Sequence, residues 1–116
     1  MKKTRTGREG EDLAVKYLRK NGLKIIERNF RTPIGEIDII ARDGPAIVIV
    51  EVKTRTSLNF GHPLEAVDQR KQKRLRRLAL YYLKYRGIEN VQVRFDVLAI
   101  VKTDNGHKIS YIKEAF

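Results

Sequence analysis

Two carboxylates, Asp38 and Glu51, and one lysine, Lys53, are the residues whose types and spacing suit phosphoryl chemistry. Glu51 and Lys53 are two positions apart, so their side chains point the same way if this segment is a β-strand. Two carboxylates held close together repel each other unless a cation joins them. A lysine beside such a cation can neutralise charge on a phosphate. The three residues therefore predict metal-assisted chemistry on a phosphate, provided that the fold brings Asp38 to Glu51.

A β-hairpin in the stretch GEIDIIARDGPAIVIVEVK would bring the two carboxylates together. We predict arms at Glu36 to Arg42 and Ile47 to Lys53, around the turn-favouring residues Asp43 to Ala46. A four-residue loop then places Asp38 opposite Glu51, with about 5 Å between their Cβ atoms. The apolar residues of each arm would share one face, namely Ile37, Ile39 and Ala41 in the first arm and Val48, Val50 and Val52 in the second.

A third acid, Glu11, lies on a predicted N-terminal helix. Thr6 and Glu9 fit a capping box that opens a helix from about Gly7 to Asn21, and Gly22 is placed to end it. Glu11 falls on the apolar stripe of that helix, with Ala14, Val15 and Leu18. A buried acid is costly unless it is paired or bound to metal, which makes Glu11 a candidate for the site. The alternative is an acid that the helix dipole favours near the N-terminus.

A second helix carries most of the candidate contacts to a polyanion. We predict that it runs from Pro63 to Arg86 and stops at Gly87, with an apolar stripe of Leu64, Val67, Leu75, Leu78, Ala79, Tyr82 and Leu83. Five cations lie off that stripe and form a candidate nucleic-acid-binding face: Arg70, Lys73, Arg74, Arg76 and Arg77. The alternative is an ordinary solvated helix face. Lys71 lies on the stripe, where it either reaches the site or extends along the core.

The remaining pattern completes an α/β chain. Leu23 to Phe30 and Val91 to Val101 read as strands, and Asn105-Gly106 favours a hairpin turn before a strand from Lys108 to Lys113. Arg55 shares the face of Lys53 and reads either as a phosphate contact or as a solvated arginine. Asp96 reads either as a structural ion-pair partner or as a group that supports the site. The predicted order is α-β-β-β-α-β-β.

Composition limits the classes of protein that fit. The 116 residues suffice for one domain, with a basic tail at residues 1 to 5 that is expected to fray. The formal net charge of +11 points to a polyanion, most often nucleic acid. Cysteine is absent and only two histidines occur, which excludes thiolate sites and disfavours zinc. No segment resembles a membrane span or a secretory signal, so we expect a cytoplasmic protein without a membrane partner.

Glu11, Asp38 and the Glu51-Val52-Lys53 triplet together resemble the pattern of PD-(D/E)XK nucleases. More closely, the chain resembles the YraN family of small predicted bacterial endonucleases, over residues 7 to 101. The matching segments are GREGEDLA from Gly7, Asn29, GEIDI from Gly35, VEVKTR from Val50, Lys71, Ala79 and RFDV from Arg94.

That resemblance implies a restriction-endonuclease-like core, in which helices flank a mixed sheet. It also implies Mg²⁺, for which Mn²⁺ can substitute, and cleavage of DNA phosphodiesters. Archaeal Holliday junction resolvases are similar, which suggests branched or junction DNA as a substrate. Glu11, Asp38 and Glu51 would then hold metal, and Lys53 would assist catalysis. One feature departs from the RecB-type branch, because Gln69 and Gln72 are not followed four residues later by tyrosine.

Three functions remain open at this point. The first is a magnesium-dependent endonuclease, in which the main-chain carbonyl of Val52 adds an oxygen to the carboxylates and Lys53 orients the nucleophile or neutralises charge on the phosphate. The second is a nucleic-acid-binding module without catalysis, and the third is an RNA-directed or ribosome-associated protein. A homodimer is left open, because no sequence feature indicates one.

Overall fold

The computed structural model describes residues 5–55 and 67–116. Their elements in chain order are α1 (Arg5–Lys20), β1 (Lys24–Thr32), β2 (Gly35–Asp43), β3 (Ala46–Arg55), α2 (Gln69–Arg86), β4 (Val93–Thr103) and β5 (Gly106–Ile112). The predicted α/β class and the order α-β-β-β-α-β-β are therefore confirmed.

The five strands form one mixed sheet in the order β1-β2-β3-β4-β5. Every neighbouring pair is antiparallel except β3 and β4, which are parallel and are joined by the connection that contains α2. The β2–β3 register is the predicted one, because Ile39 pairs with Val50. The turn is shorter than predicted, since Asp43 and Ala46 already pair and leave two residues between them.

Each helix covers one face of the sheet. On the α1 face, Ala14, Val15 and Leu18 pack against strand residues that include Ile39, Ala41, Val48, Val50, Leu98 and Ile100. On the α2 face, Leu75, Leu78, Ala79 and Tyr82 pack against strand residues that include Ile37, Ile40, Ile47, Ile49, Phe95 and Val97. The sheet is therefore apolar on both faces, which explains why β3 reads as a nearly continuous apolar run.

The prediction that Ile37 shares a face with Ile39 and Ala41 is wrong. Ile37 packs on the α2 face, whereas Ile39 and Ala41 pack on the α1 face. The alternation of β2 is broken at Asp38, between the two isoleucines. The β2–β3 ladder ends at Ile39, just before this point, and Asn29 in the neighbouring strand β1 has a positive φ of 55°. The strand is therefore irregular at Asp38, and the isoleucines on either side of this carboxylate face opposite sides of the sheet.

The ends of α1 differ partly from the sequence prediction. The helix begins at Arg5, so Thr6 lies inside it and is not the non-helical N-cap that a capping box requires. The expected fraying of residues 1 to 5 stays a prediction, because Arg5 is the first helical residue and residues 1–4 lie outside the described residues. The helix ends at Lys20, and Gly22 follows with φ of 88°, as its expected role as a stop requires.

Helix α2 starts later than predicted and ends where predicted. Asp68 is the N-cap, with extended φ and ψ, and its side chain accepts a hydrogen bond from the backbone N–H of Lys71. The expected continuous helix from Pro63 is therefore wrong, while Pro63 itself, Leu64 and the expected loop at 56–62 lie outside the described residues. Gly87 ends the helix with φ of 66°, in the left-handed region.

The outer strands keep their predicted places with shifted ends. β1 continues through Thr32 and leaves a two-residue turn before Gly35. Thr103 pairs with Gly106, so the second hairpin turns at residues 104–105 and β5 begins earlier than predicted. Neither helix of the described part of the chain is long and apolar enough to cross a membrane.

Candidate active site

Strands β2 and β3 separate where the candidate carboxylates lie. Their ladder stops at Ile39–Val50, one position before Asp38 and Glu51. At that point the backbone N–H of Val52 donates to Asp38 Oδ2 over 2.9 Å, so a side chain replaces the main-chain acceptor. The N–H and C=O of one strand residue face the same neighbour. The carbonyl oxygen of Val52 therefore faces the same opening as the Asp38 carboxylate.

Burial dominates the electrostatics of Glu51. Burial first, and then the neighbouring Asp38 carboxyl, raise the pKa of Glu51 to about 8. The charges of Lys53 and Lys71 oppose this rise. Two carboxyls that cannot both ionise easily are typical of sites that bind a cation or hold a proton.

Lys53 and Lys71 bring two cationic groups to the carboxylate pair. Lys53 is half-buried on β3, and Lys71 projects from the first turn of α2. Burial lowers the pKa of Lys53, and the adjacent Lys71 ammonium lowers it further, while Glu51 opposes the change. The effect of Lys71 on both Glu51 and Lys53 favours the alternative in which it reaches the site, and a role in binding stays a prediction.

Glu11 is buried, as the helical stripe predicted, with only 1% of its surface exposed. Its Oε1 accepts hydrogen bonds from Arg28 Nε at 3.1 Å and from Asn29 Nδ2 at 2.8 Å. Among residues 7–55 and 67–116, no three histidine or acidic side chains converge closely enough to hold one metal ion. Metal binding by Glu11 stays a prediction.

Asn29 is a residue of this region to which the sequence reasoning gave no role. It lies in β1 between Arg28, which pairs with Ile39, and Phe30, which pairs with Ile37, so its register position faces Asp38. Its φ is 55°, and its buried Oδ1 has no hydrogen-bond partner among the described residues. Asparagine is depleted in strands and tolerates the left-handed region, so an asparagine inside a predicted strand was the available signal.

Gly10 lets α1 approach β3 beside the site. A Cβ atom at Gly10 would lie 2.2 Å from Thr54 Oγ1 and 3.3 Å from Thr54 Cβ. Thr54 directly follows Lys53, so a glycine at this helix position fixes how closely α1 covers the end of β3.

The other sequence-predicted residue nearby, Arg55, is half-buried and donates from Nη1 to the Thr54 carbonyl over 3.3 Å.

The five cations predicted to form a basic face on α2 are all exposed. They differ in their surroundings. The Arg76 guanidinium lies over the rings of Phe95 and Phe116, at 5.2 and 5.4 Å from their centroids. The Cδ atom of Arg74 lies close to the start of β2, because a Cβ atom added at Gly35 would be 3.7 Å from it. Arg70, Lys73 and Arg77 complete the set.

Asp96 belongs to a separate buried network, which favours the structural alternative for this residue. Only 1% of its surface is exposed, and it accepts hydrogen bonds from Arg94, from the hydroxyl of Tyr111 and from the backbone N–H of Glu114. Arg94 also donates to Asp43 over 2.8 Å. The network joins the start of β4 to β5 and to the β2–β3 turn.

Comparison with known proteins agrees with the sequence resemblance. The model of the family described as "Uncharacterised protein family UPF0102" matches residues 10–100. The chain belongs to the UPF0102 family. This is the YraN family that the motifs indicated, so that resemblance is confirmed.

Relatives match the chain over most of their length. A UPF0102 protein of Thermodesulfovibrio yellowstonii is 53% identical over 116 residues, which cover 100% of this chain and 99% of the relative. One from Persephonella marina is 49% identical over 110 residues, covering 95% and 91% of the two chains. One from Moorella thermoacetica is 52% identical over 100 residues, covering 86% and 83%. Their names state family membership and no activity.

Proposed function

We propose that this UPF0102 chain is a divalent-metal-dependent endonuclease that hydrolyses phosphodiester bonds in DNA, with branched DNA as the preferred form. One observation carries the proposal. Asp38 and Glu51 face each other where β2 and β3 separate, with Lys53 beside them and the pKa of Glu51 raised to about 8. A paired carboxylate set next to a lysine suits phosphoryl chemistry better than it suits simple binding of a polyanion, which two acids would repel.

The donor set fits Mg²⁺ or Mn²⁺. Asp38, Glu51 and the Val52 carbonyl offer oxygen atoms only, and Mg²⁺ prefers oxygen and keeps several waters. A divalent charge would also offset the burial and the repulsion from Asp38 that together raise the pKa of Glu51. When bound, the cation supplies an activated water and neutralises charge on the phosphate.

Lys53 acts on the phosphate group in this proposal. Its side chain lies on the same strand face as Glu51, and its charge acts on that carboxyl. There it donates hydrogen bonds to the phosphate oxygen on which charge develops, a role that matters most in the transition state. Lys71 adds a second positive charge from α2.

The basic face of α2 would hold the rest of the substrate. Helix α2 begins beside Lys53 and carries exposed cations along its outer side, so a backbone bound at the site could continue along the helix. Contacts of this kind depend on charge and not on base sequence. Arg55, at the end of β3, would add a further phosphate contact.

Cleavage by the purified protein tests the proposal. Linear duplex, single-stranded, flap and four-way-junction DNA are incubated with Mg²⁺, with Mn²⁺ or with chelator, for wild type and Asp38→Asn. We expect metal-dependent cleavage, fastest on branched DNA, that Asp38→Asn abolishes. Tight binding without cleavage of any form by the wild type would contradict it and support the binding module. Stronger competition by RNA than by DNA would support the RNA-directed alternative.

A further inference from the structure

Asn29 connects the buried acid of α1 to the strand that carries Asp38. Its Nδ2 donates to Glu11 Oε1 over 2.8 Å, and Glu11 is also held by Arg28. The side-chain amide is therefore anchored at its nitrogen, which fixes which way its oxygen points. That oxygen is the buried Oδ1 without a partner among the described residues.

A buried hydrogen-bond acceptor without a partner, such as Asn29 Oδ1, lowers the stability of the folded state. A buried polar atom without a hydrogen bond has lost its contact with water and gained no partner in exchange. The positive φ at Asn29 adds strain, and such strain collects at functional sites. Together they indicate that a ligand with a hydrogen-bond donor belongs next to Oδ1.

The water shell of a divalent cation has the matching chemistry. Water that binds a cation through its oxygen presents only O–H donors outward. The other polar groups of the site besides the carboxylates are the Val52 N–H, Lys53 and Lys71. All three are hydrogen-bond donors, and the Val52 N–H already donates to Asp38. Asp38 lies at the register position opposite Asn29, so a cation held by Asp38 would bring its waters close to Oδ1.

We propose that Asn29 is a positioning residue for the metal site, in which Glu11 anchors the amide and Oδ1 accepts a hydrogen bond from a water of the cation's shell. This inference rests on the proposed function. It gives Glu11 a role at the site without direct coordination. Groups that hold the ligands of a metal typically change its affinity by about tenfold or more when they are removed.

The test measures the dissociation constants of Mn²⁺ and Mg²⁺ by titration calorimetry, without DNA, together with the thermal midpoint in chelator. Asn29→Gly removes the amide and tolerates the positive φ. Asn90→Gly is the matched control, because Asn90 is exposed and has a φ of 54°. We expect Asn29→Gly to weaken metal binding about tenfold, while Asn90→Gly leaves it unchanged.

A second variant separates the acceptor from the anchor. Asn29→Asp keeps an acceptor oxygen but loses the donor to Glu11, so it should be less stable in chelator, yet bind metal as tightly as wild type or tighter. Asn29→Asp that binds metal as weakly as Asn29→Gly would overturn the role of Oδ1, and so would an unchanged affinity in Asn29→Gly. Wild-type protein that binds neither ion would instead overturn the proposed function itself.

Discussion

At the scale of single residues, the raised pKa of Glu51 makes folding stability depend on pH. Its pKa is about 8 in the folded protein and 4.5 as the ordinary value. The folded state therefore binds more protons between these values, so the free energy of unfolding in chelator should fall as pH rises from 4.5 through 8. Glu51→Gln should remove most of this fall. Denaturant titrations of wild type and Glu51→Gln at pH 5 and pH 8 measure this fall in the free energy of unfolding. If the two proteins show the same pH dependence, Glu51 is not the group with the raised pKa.

The Arg94–Asp96 pair makes a second prediction at this scale. Arg94→Ala leaves the buried Asp96 carboxylate without its guanidinium, and breaking a buried pair in this way costs about 3 kcal/mol or more. Arg31→Ala is the control, because Arg31 pairs with Glu36 at the surface, 3.2 Å away, where the loss should stay below about 1 kcal/mol. Chemical denaturation gives both values. Equal losses in the two variants would contradict the structural role of Asp96.

Some residues of the site could be predicted because their placement is local. The hairpin alternation and its turn determine the register of Asp38 and Glu51, and the period of the α1 helix places Glu11 inward. Asn29 could not be predicted in the same way. Strand propensity marks an asparagine in this strand as unusual, but its hydrogen bond to Glu11 and its orphan oxygen depend on how β1, β2 and α1 meet, which spacing does not contain.

At the scale of elements, the contact of Gly10 with Thr54 sets the approach of α1 to β3. Gly10→Ala should destabilise the protein by about 1 to 3 kcal/mol, because overpacking outweighs the better helix propensity of alanine. Thr54→Ala should recover most of that loss in the double variant, because it removes the atom that the new Cβ meets. Thermal denaturation of the two single variants and the double variant tests the coupling. If the two substitutions have additive effects on stability, the contact between Gly10 and Thr54 does not set the approach of α1 to β3.

The ends of helices and strands could be predicted where the residue that causes the end is close in sequence. Gly87 ends α2 because it adopts the left-handed conformation. The Asn105-Gly106 pair indicated the second hairpin, although its turn lies one residue earlier than predicted, at residues 104–105. The start of α2 was missed because Asp68, five residues beyond Pro63, supplies the N-cap that decides where the helix begins. The face of Ile37 was missed because strand alternation was assumed to continue through Asp38, where the β2–β3 ladder ends.

At the scale of the whole molecule, the charge of +11 should make DNA binding strongly salt-dependent. The triple variant Arg70→Ala, Lys73→Ala, Arg77→Ala should flatten the log–log salt slope by about 0.9 for each lost phosphate contact. Exposed cations on α1 give a control of equal charge: Lys16→Ala, Arg19→Ala, Lys20→Ala. Dissociation constants at several salt concentrations measure both slopes. Equal slopes for the two triple variants would remove α2 from the interface.

The central claim is that the Asp38–Glu51–Lys53 group performs chemistry and the α2 face performs binding. The measurement that tests it most directly is the single-turnover cleavage rate at saturating protein, together with the DNA dissociation constant, for wild type, Lys53→Ala and Arg77→Ala. We expect Lys53→Ala to lose roughly 3 kcal/mol of transition-state stabilisation, about a hundredfold in rate, with little change in affinity. Arg77→Ala should bind more weakly and cleave at the wild-type rate. A Lys53→Ala protein that cleaves normally at saturation would contradict the account.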